Sequence, residues 1–177
     1  MKKILFIISI LAFSGSGVFA QTGVDYFKQG DAKFLLKDYK GAIEDYTQAI
    51  KLNPKDAIAY YNRGYAKAFL NDDKGAIPDF TKAIELNTKY AEAYYNRGLC
   101  KSNLRGEKGY KQDAQDKSAI QDFTKALTLN PKYADAYYYR GYCKLGLGDT
   151  KEACIDWQKA ADLGHTKAKD RITENCK

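Results

Sequence analysis

Few side chains in this sequence have chemical reach. There is one histidine, His165, and there are four cysteines, Cys100, Cys143, Cys154 and Cys176. An imidazole works as a base or ligand only beside a nucleophile, a carboxylate or a metal. His165 lies in a short Gly-His-Thr link with no such motif around it, and reads as a solvated side chain. The cysteines are spaced by 43, 11 and 22 residues, which fits no zinc-ligand pattern. No phosphate-cradling glycine loop, paired-carboxylate signature or nucleophile–base arrangement is visible. The expectation is a protein that is not an enzyme and holds no metal or cofactor.

The chemistry open to the thiols is oxidation. Four cysteines allow three pairings. Cys154 opens the last full helical pattern and Cys176 closes the segment after it, so a bridge between them would staple that segment. Cys100 and Cys143 hold equivalent places in a repeat and should point the same way, as small buried thiols.

Tyrosine and asparagine are the other reactive surface, and they recur. The strings Ala57-Ile-Ala-Tyr-Tyr-Asn-Arg-Gly64, Ala91-Glu-Ala-Tyr-Tyr-Asn-Arg-Gly98 and Ala134-Asp-Ala-Tyr-Tyr-Tyr-Arg-Gly141 begin 34 and then 43 residues apart. A weaker copy precedes them, with Tyr26 and Gly30 in the places of Tyr60 and Gly64. Such a period marks stacked supersecondary units. The units run 23–56, 57–90, 91–133 and 134–167. Each holds two helical patterns. The second carries Ala, an aromatic and Ala at spacings of four and three, as in Ala76, Phe80 and Ala83, which share one helix stripe. Asn53-Pro54 and Asn130-Pro131 end second helices. Lys37-Asp38, Asn71-Asp72 and Gly148-Asp149 mark the turns inside units. Pro78, near the start of a second helix, should leave a tolerated kink.

This pattern closely resembles the tetratricopeptide repeat over residues 23 to about 163. The resemblance implies an all-α, right-handed α-solenoid of four helix–turn–helix units. Residues 166–177 suit a capping helix, with Ala168 and Ile172 facing inward at a spacing of four. It also implies a concave face lined by first helices. The residues placed there are Phe27, Lys28, Tyr61, Asn62, Tyr65, Phe69, Tyr95, Asn96, Leu99, Asn103, Tyr138, Tyr139 and Tyr142. Aromatic bodies with polar tips suit a protein or peptide partner. Members of the family that read chaperone tails grip a terminal carboxylate with Lys at the second position of a unit. Here that position holds Val24, Ile58, Glu92 and Asp135, so this specificity is not expected. A glycan- or peptidoglycan-associated accessory role and self-association through the end units are the alternatives.

Two further features are individual to this chain. Arg63, Arg97 and Arg140 each have an Asp 18 residues upstream, namely Asp45, Asp79 and Asp122, while Gln29 in the first unit has none. That predicts ion pairs between neighbouring units. The third unit also carries nine extra residues within 105–118, readable as a solvated loop or as an extension of the second helix from Lys111 onward.

At the start, Lys2 and Lys3, the apolar run Ile4 to Phe13 and Val18-Phe-Ala20 read as a signal peptide cleaved after Ala20. The run is shorter than the roughly 20 residues a membrane span needs. This leaves residues 21–177 as a single domain in a periplasmic or extracellular setting, without membrane insertion. The net charge of +7 comes from alternating Lys and Asp/Glu, not from a basic cluster, so nucleic acid is not an expected partner.

Overall fold

The computed structural model describes residues 22–109 and 111–177, and among them are nine α-helices and no strand. The proposed leader, residues 1–20, lies outside the described residues. In order the helices are α1 (Gly23–Leu35), α2 (Tyr39–Leu52), α3 (Ala57–Phe69), α4 (Asp73–Leu86), α5 (Ala91–Asn103), α6 (Gln112–Leu129), α7 (Ala134–Gly146), α8 (Thr150–Asp162) and α9 (Ala168–Asn175). They pack as the pairs α1–α2, α3–α4, α5–α6 and α7–α8. Each second helix also meets the first helix of the next pair, and α9 lies on α8.

Local signals explain the boundaries. The turn inside a pair needs one residue in the left-handed region, and Lys37 (φ 63), Asn71 (φ 59) and Gly148 (φ 86) supply it at equivalent places. The following aspartate starts the second helix in the first two pairs: Asp38 and Asp72 accept from the amides of Gly41 and Gly75. Second helices stop at Asn53, Asn87 and Asn130. Each asparagine side chain accepts from the amide two residues on, a compact turn that leaves the helix path. Proline is therefore dispensable as a stop, and Thr88 serves after Asn87. Helix α4 runs on through Pro78.

The insertion resolves in favour of its second reading. Helix α6 has 18 residues where α2 and α4 have 14, so the extra chain from Gln112 lengthens the helix at its start. The rest is a short loop. Its base is tied by Arg105, whose Nη1 lies 3.2 Å from Oδ1 of the fully buried Asp116. Lys74 of α4 reaches Glu107 in the loop at 2.8 Å.

The core is a column of small and aromatic residues between helices. Tyr46, Phe80, Phe123 and Trp157, each from a second helix, are at most 1% exposed. Each ring lies against the glycine of its own pair: a Cβ on Gly30 would come within 2.7 Å of Tyr46, and one on Gly141 within 2.8 Å of Trp157. On their other side, Tyr46, Phe80 and Phe123 meet Ala66, Cys100 and Cys143 of the next pair. The aromatic is thus the contact shared by two neighbours, and the glycine makes room for it.

The arginine–aspartate expectation is corrected. Asp45 does not pair with Arg63, nor Asp79 with Arg97, nor Asp122 with Arg140. Arg63 pairs with Asp79, Arg97 with Asp122 and Arg140 with Asp156, each at 2.6 Å and within one helix pair. A lysine one turn along the first helix joins each carboxylate: Lys67 at 2.7 Å, Lys101 at 2.8 Å and Lys144 at 2.9 Å. Asp45 has Lys33 at 2.7 Å, which explains why Gln29 can stand where the other units have arginine. The link between neighbours exists, but through a hydroxyl. The Nη1 groups of Arg63, Arg97 and Arg140 donate to Thr47, Thr81 and Thr124 of the preceding pair.

Cys154 and Cys176 form a disulfide with Cα atoms 5.8 Å apart, which fastens α9 to α8 beside Ala168 and Ile172. Cys100 and Cys143 are buried free thiols. Burial pushes the Cys143 thiol up to about 12, helped by the charge of and a hydrogen bond with Asp116. Cys100 is raised likewise, mainly by burial and then by Asp73. Both stay protonated near neutral pH, so iodoacetamide should label them only after unfolding. Reducing the bridge or making Cys176→Ser should cost about 3 kcal/mol in the chain-entropy description. Urea unfolding with and without reductant checks this, and an unchanged midpoint would count against the staple.

Candidate functional site

Among the described residues, adjoining concavities run along the first helices α3, α5 and α7 and reach α1 at one end. The central concavity, about 450 Å³, is bounded by Tyr61, Tyr65, Phe69, Tyr95, Asn96, Leu99, Asn103, Tyr133 and Asp135, among others. Toward the first pair it continues past Asp31, Phe34 and Asn62 (about 380 Å³). Toward the cap it continues past Tyr138, Tyr139, Tyr142, His165, Lys167 and Arg171 (about 470 Å³). The three concavities adjoin through shared residues, Tyr61 and Tyr65 on one side and Tyr95 and Asp135 on the other, so the groove they form together suits an extended segment more than an enclosed small molecule.

Its floor is a run of rings. Tyr61 stacks on Tyr65 with centroids 5.8 Å apart, and Tyr65 meets Phe69 edge-on at 5.0 Å. Tyr95 lies 4.6 Å from Tyr133 and 6.2 Å from Tyr139. Burial drives the phenols of Tyr61, Tyr95 and Tyr133 well above the ordinary tyrosine value, and Tyr90 to about 12. They remain neutral hydroxyls, able to donate and accept.

Among the described residues, no three His, Cys, Asp or Glu side chains converge to hold a metal. No described helix is long and apolar enough to cross a membrane.

Family models match at three places: a TPR repeat over residues 30–68, and tetratricopeptide repeats over 57–90 and 123–155. The TPR domain of Arabidopsis OM64 is 30% identical, the alignment covering 69% of this chain and 93% of that domain, with a TM-score of 0.62. The chain belongs to the tetratricopeptide repeat family. Crystalline MamA is also similar, at 28% identity, 84% of this chain, 82% of that one and a TM-score of 0.74. So is the first TPR of Spaghetti (RPAP3) bound to the HSP90 peptide SRMEEVD, at 25% identity, 76% of this chain, 99% of that one and a TM-score of 0.65. No curated protein sequence matches the chain.

The thirteen residues selected from the sequence fall into four groups about this TPR groove. Tyr61, Tyr65, Phe69, Tyr95, Leu99, Asn103, Tyr139 and Tyr142 line it. Asn62 and Asn96 line it too, but their amide donors are already engaged. Asn62 donates to Asp31 at 3.1 Å, while Asn96 donates to the Tyr61 hydroxyl at 3.0 Å and to the carbonyl of Glu92 at 2.9 Å. They brace the floor instead of offering donors to a ligand. Tyr138 is 8% exposed, and its carbonyl accepts from Trp157, so its main work is structural. Phe27 packs 5.9 Å from Tyr46 and lines a separate hollow with Val24 and Leu52, and Lys28 is exposed outside the three concavities.

His165 is not solvated. Its ring stacks on Tyr138 at 4.1 Å, and Nε2 lies 3.4 Å from Asp135. Sequence reading also missed Tyr90 and Tyr133, the last residues before α5 and α7, because they fall at unit ends and not on a first-helix face. The signal available was their recurrence two residues before Glu92 and Asp135.

Proposed function

We propose that this TPR protein is an exported, non-catalytic scaffold that holds an extended segment of a partner protein along its concave groove. The observation that carries the reading is the run of adjoining, tyrosine-lined concavities along the first helices. OM64 and Spaghetti belong to the same family, and the latter is known with a peptide bound. This chain would take a different peptide from that acidic one, because Glu92 and Asp135 stand where a carboxylate reader needs lysine. Export is supported by the leader-like first twenty residues and by the Cys154–Cys176 bridge, which suits an oxidising compartment. A secreted form that starts at Gln21 by mass would bear it out, and one that starts at Met1 would count against it.

The binding reading is tested on an array of unstructured peptides. Tyr95→Ala should weaken the bound peptides roughly tenfold by removing a floor ring, on the scale of an interface anchor. Lys125→Ala, an exposed change on α6, should leave them unchanged. Equal loss from both, or from neither, would overturn the assignment to this groove.

A further inference from the structure

Two junctions between helix pairs carry the same arrangement, one along the central concavity at Tyr95, Tyr133 and Asp135 and one at its edge, joined to it through Tyr61. Where the second and third helix pairs meet, Tyr61 and Tyr90 lie 4.7 Å apart and Glu92 follows Tyr90 by two residues. Where the third and fourth meet, Tyr95 and Tyr133 lie 4.6 Å apart and Asp135 follows Tyr133 by two. Burial is the main cause of the raised phenols, and the carboxylates add to it: Glu92 at Tyr61, Tyr90 and Tyr133, and Asp135 at Tyr95 and Tyr133. The first junction lacks the set, with Phe27, Asp56 and Ile58 in the corresponding places.

The state of these carboxylates sets them apart. Asp79, Asp122 and Asp156 are buried and each is met by an arginine and a lysine. Glu92 is exposed and the Asp135 side chain is 55% exposed. Among the described residues neither has a lysine or arginine partner, and the neighbour of Asp135 is His165. No basic residue lines the central concavity, although the chain as a whole is basic. Negative charge beside tyrosine faces is the environment that attracts an organic cation.

We infer that the two junctions are paired seats for lysine or arginine side chains of the bound segment. This rests on the peptide-groove reading and adds its charge selectivity. Neighbouring helices pack with axes about 8–10 Å apart, and a chain extended as polyproline II advances about 3.1 Å per residue and returns to the same face every third residue. Cations three residues apart would therefore reach both seats. Beyond Asp135 the groove turns basic, with Lys167 and Arg171, so a third cation in the series would be repelled.

The probe is a fluorescein-labelled twelve-residue peptide of Ser, Gly and Leu with Lys at its fifth and eighth positions. Analogues carry Gln or Glu there. Anisotropy with the purified protein at low salt should show the Lys peptide binding at least tenfold tighter than the Gln peptide, and the Glu peptide weakest. The double variant E92Q with D135N, both exposed and isosteric changes in the first turns of α5 and α7 that should lower the melting temperature only slightly, should erase the Lys-over-Gln preference. If Lys and Gln peptides bind equally and Tyr95→Ala weakens both, the cation seats are wrong and the groove stands. If the Lys peptide prefers the protein but E92Q with D135N does not alter the preference, the seats are wrong in place. If Tyr95→Ala leaves binding untouched, or no peptide binds, the groove reading and the seats fall together.

Discussion

Asp122→Ala should destabilise the protein by about 3 kcal/mol, at the lower end of what loss of one partner from a buried ion pair costs. Asp122 is 4% exposed and takes two hydrogen bonds from Arg97, at 3.0 and 2.6 Å, and an ion pair from Lys101 at 2.8 Å. Its removal strands two cations against the helix pair, each with less than a fifth of its side chain in water. Asp45→Ala should cost less, because Asp45 answers one lysine that is itself 38% exposed. Urea unfolding followed by circular dichroism measures both. A double-mutant cycle separates the two pairing schemes: Arg97 with Asp122 should couple strongly, and Arg140 with Asp122 should be close to additive. The reverse result would restore pairing between neighbours.

Trp157→Ala should be worse, at about 3–5 kcal/mol. The indole is fully buried among Ala153, Ala160 and Ala168, and its Nε1 donates to the Tyr138 carbonyl at 3.1 Å. It is the ring on which α9 rests, so the cavity would open beneath one eight-residue helix instead of a full helix pair. The loss should therefore appear first as loosening of α9 and of the His165–Tyr138 contact. Hydrogen exchange of α9 amides rising before those of α3 and α4 would show this, and uniform exchange would refute it. Trp157→Phe should be milder, because phenylalanine fills the same place as Phe80 and Phe123 in the preceding pairs.

Much of the molecule was legible from residue spacing. Helix pairs, turns and the buried aromatic column follow from periodicity, because spacings of three and four place residues on one face of a helix whatever it packs against. The terminal bridge was legible too, since Cys154 and Cys176 bracket one short segment. The length of α6 was not, because Gln112 to Ser118, polar but for Ala114, serve equally as loop or helix.

The concave face was half legible. Its tyrosines could be placed by position, but the side chains that hold Asn62 and Asn96 could not, because those contacts join residues about thirty apart on different helices.

The arginine–aspartate pattern marks the division. The sequence by itself determined that each Arg has Asp partners in reach, one 18 residues before it and one in its own unit. Only the tertiary structure chose between them. The glycines at 30, 64, 98 and 141 let the two helices of a pair close tightly around the aromatic ring, and this brings the arginine against the aspartate of its own pair. The neighbouring pair stands farther off, within reach of a threonine hydroxyl but with its carboxylate already taken by its own cations.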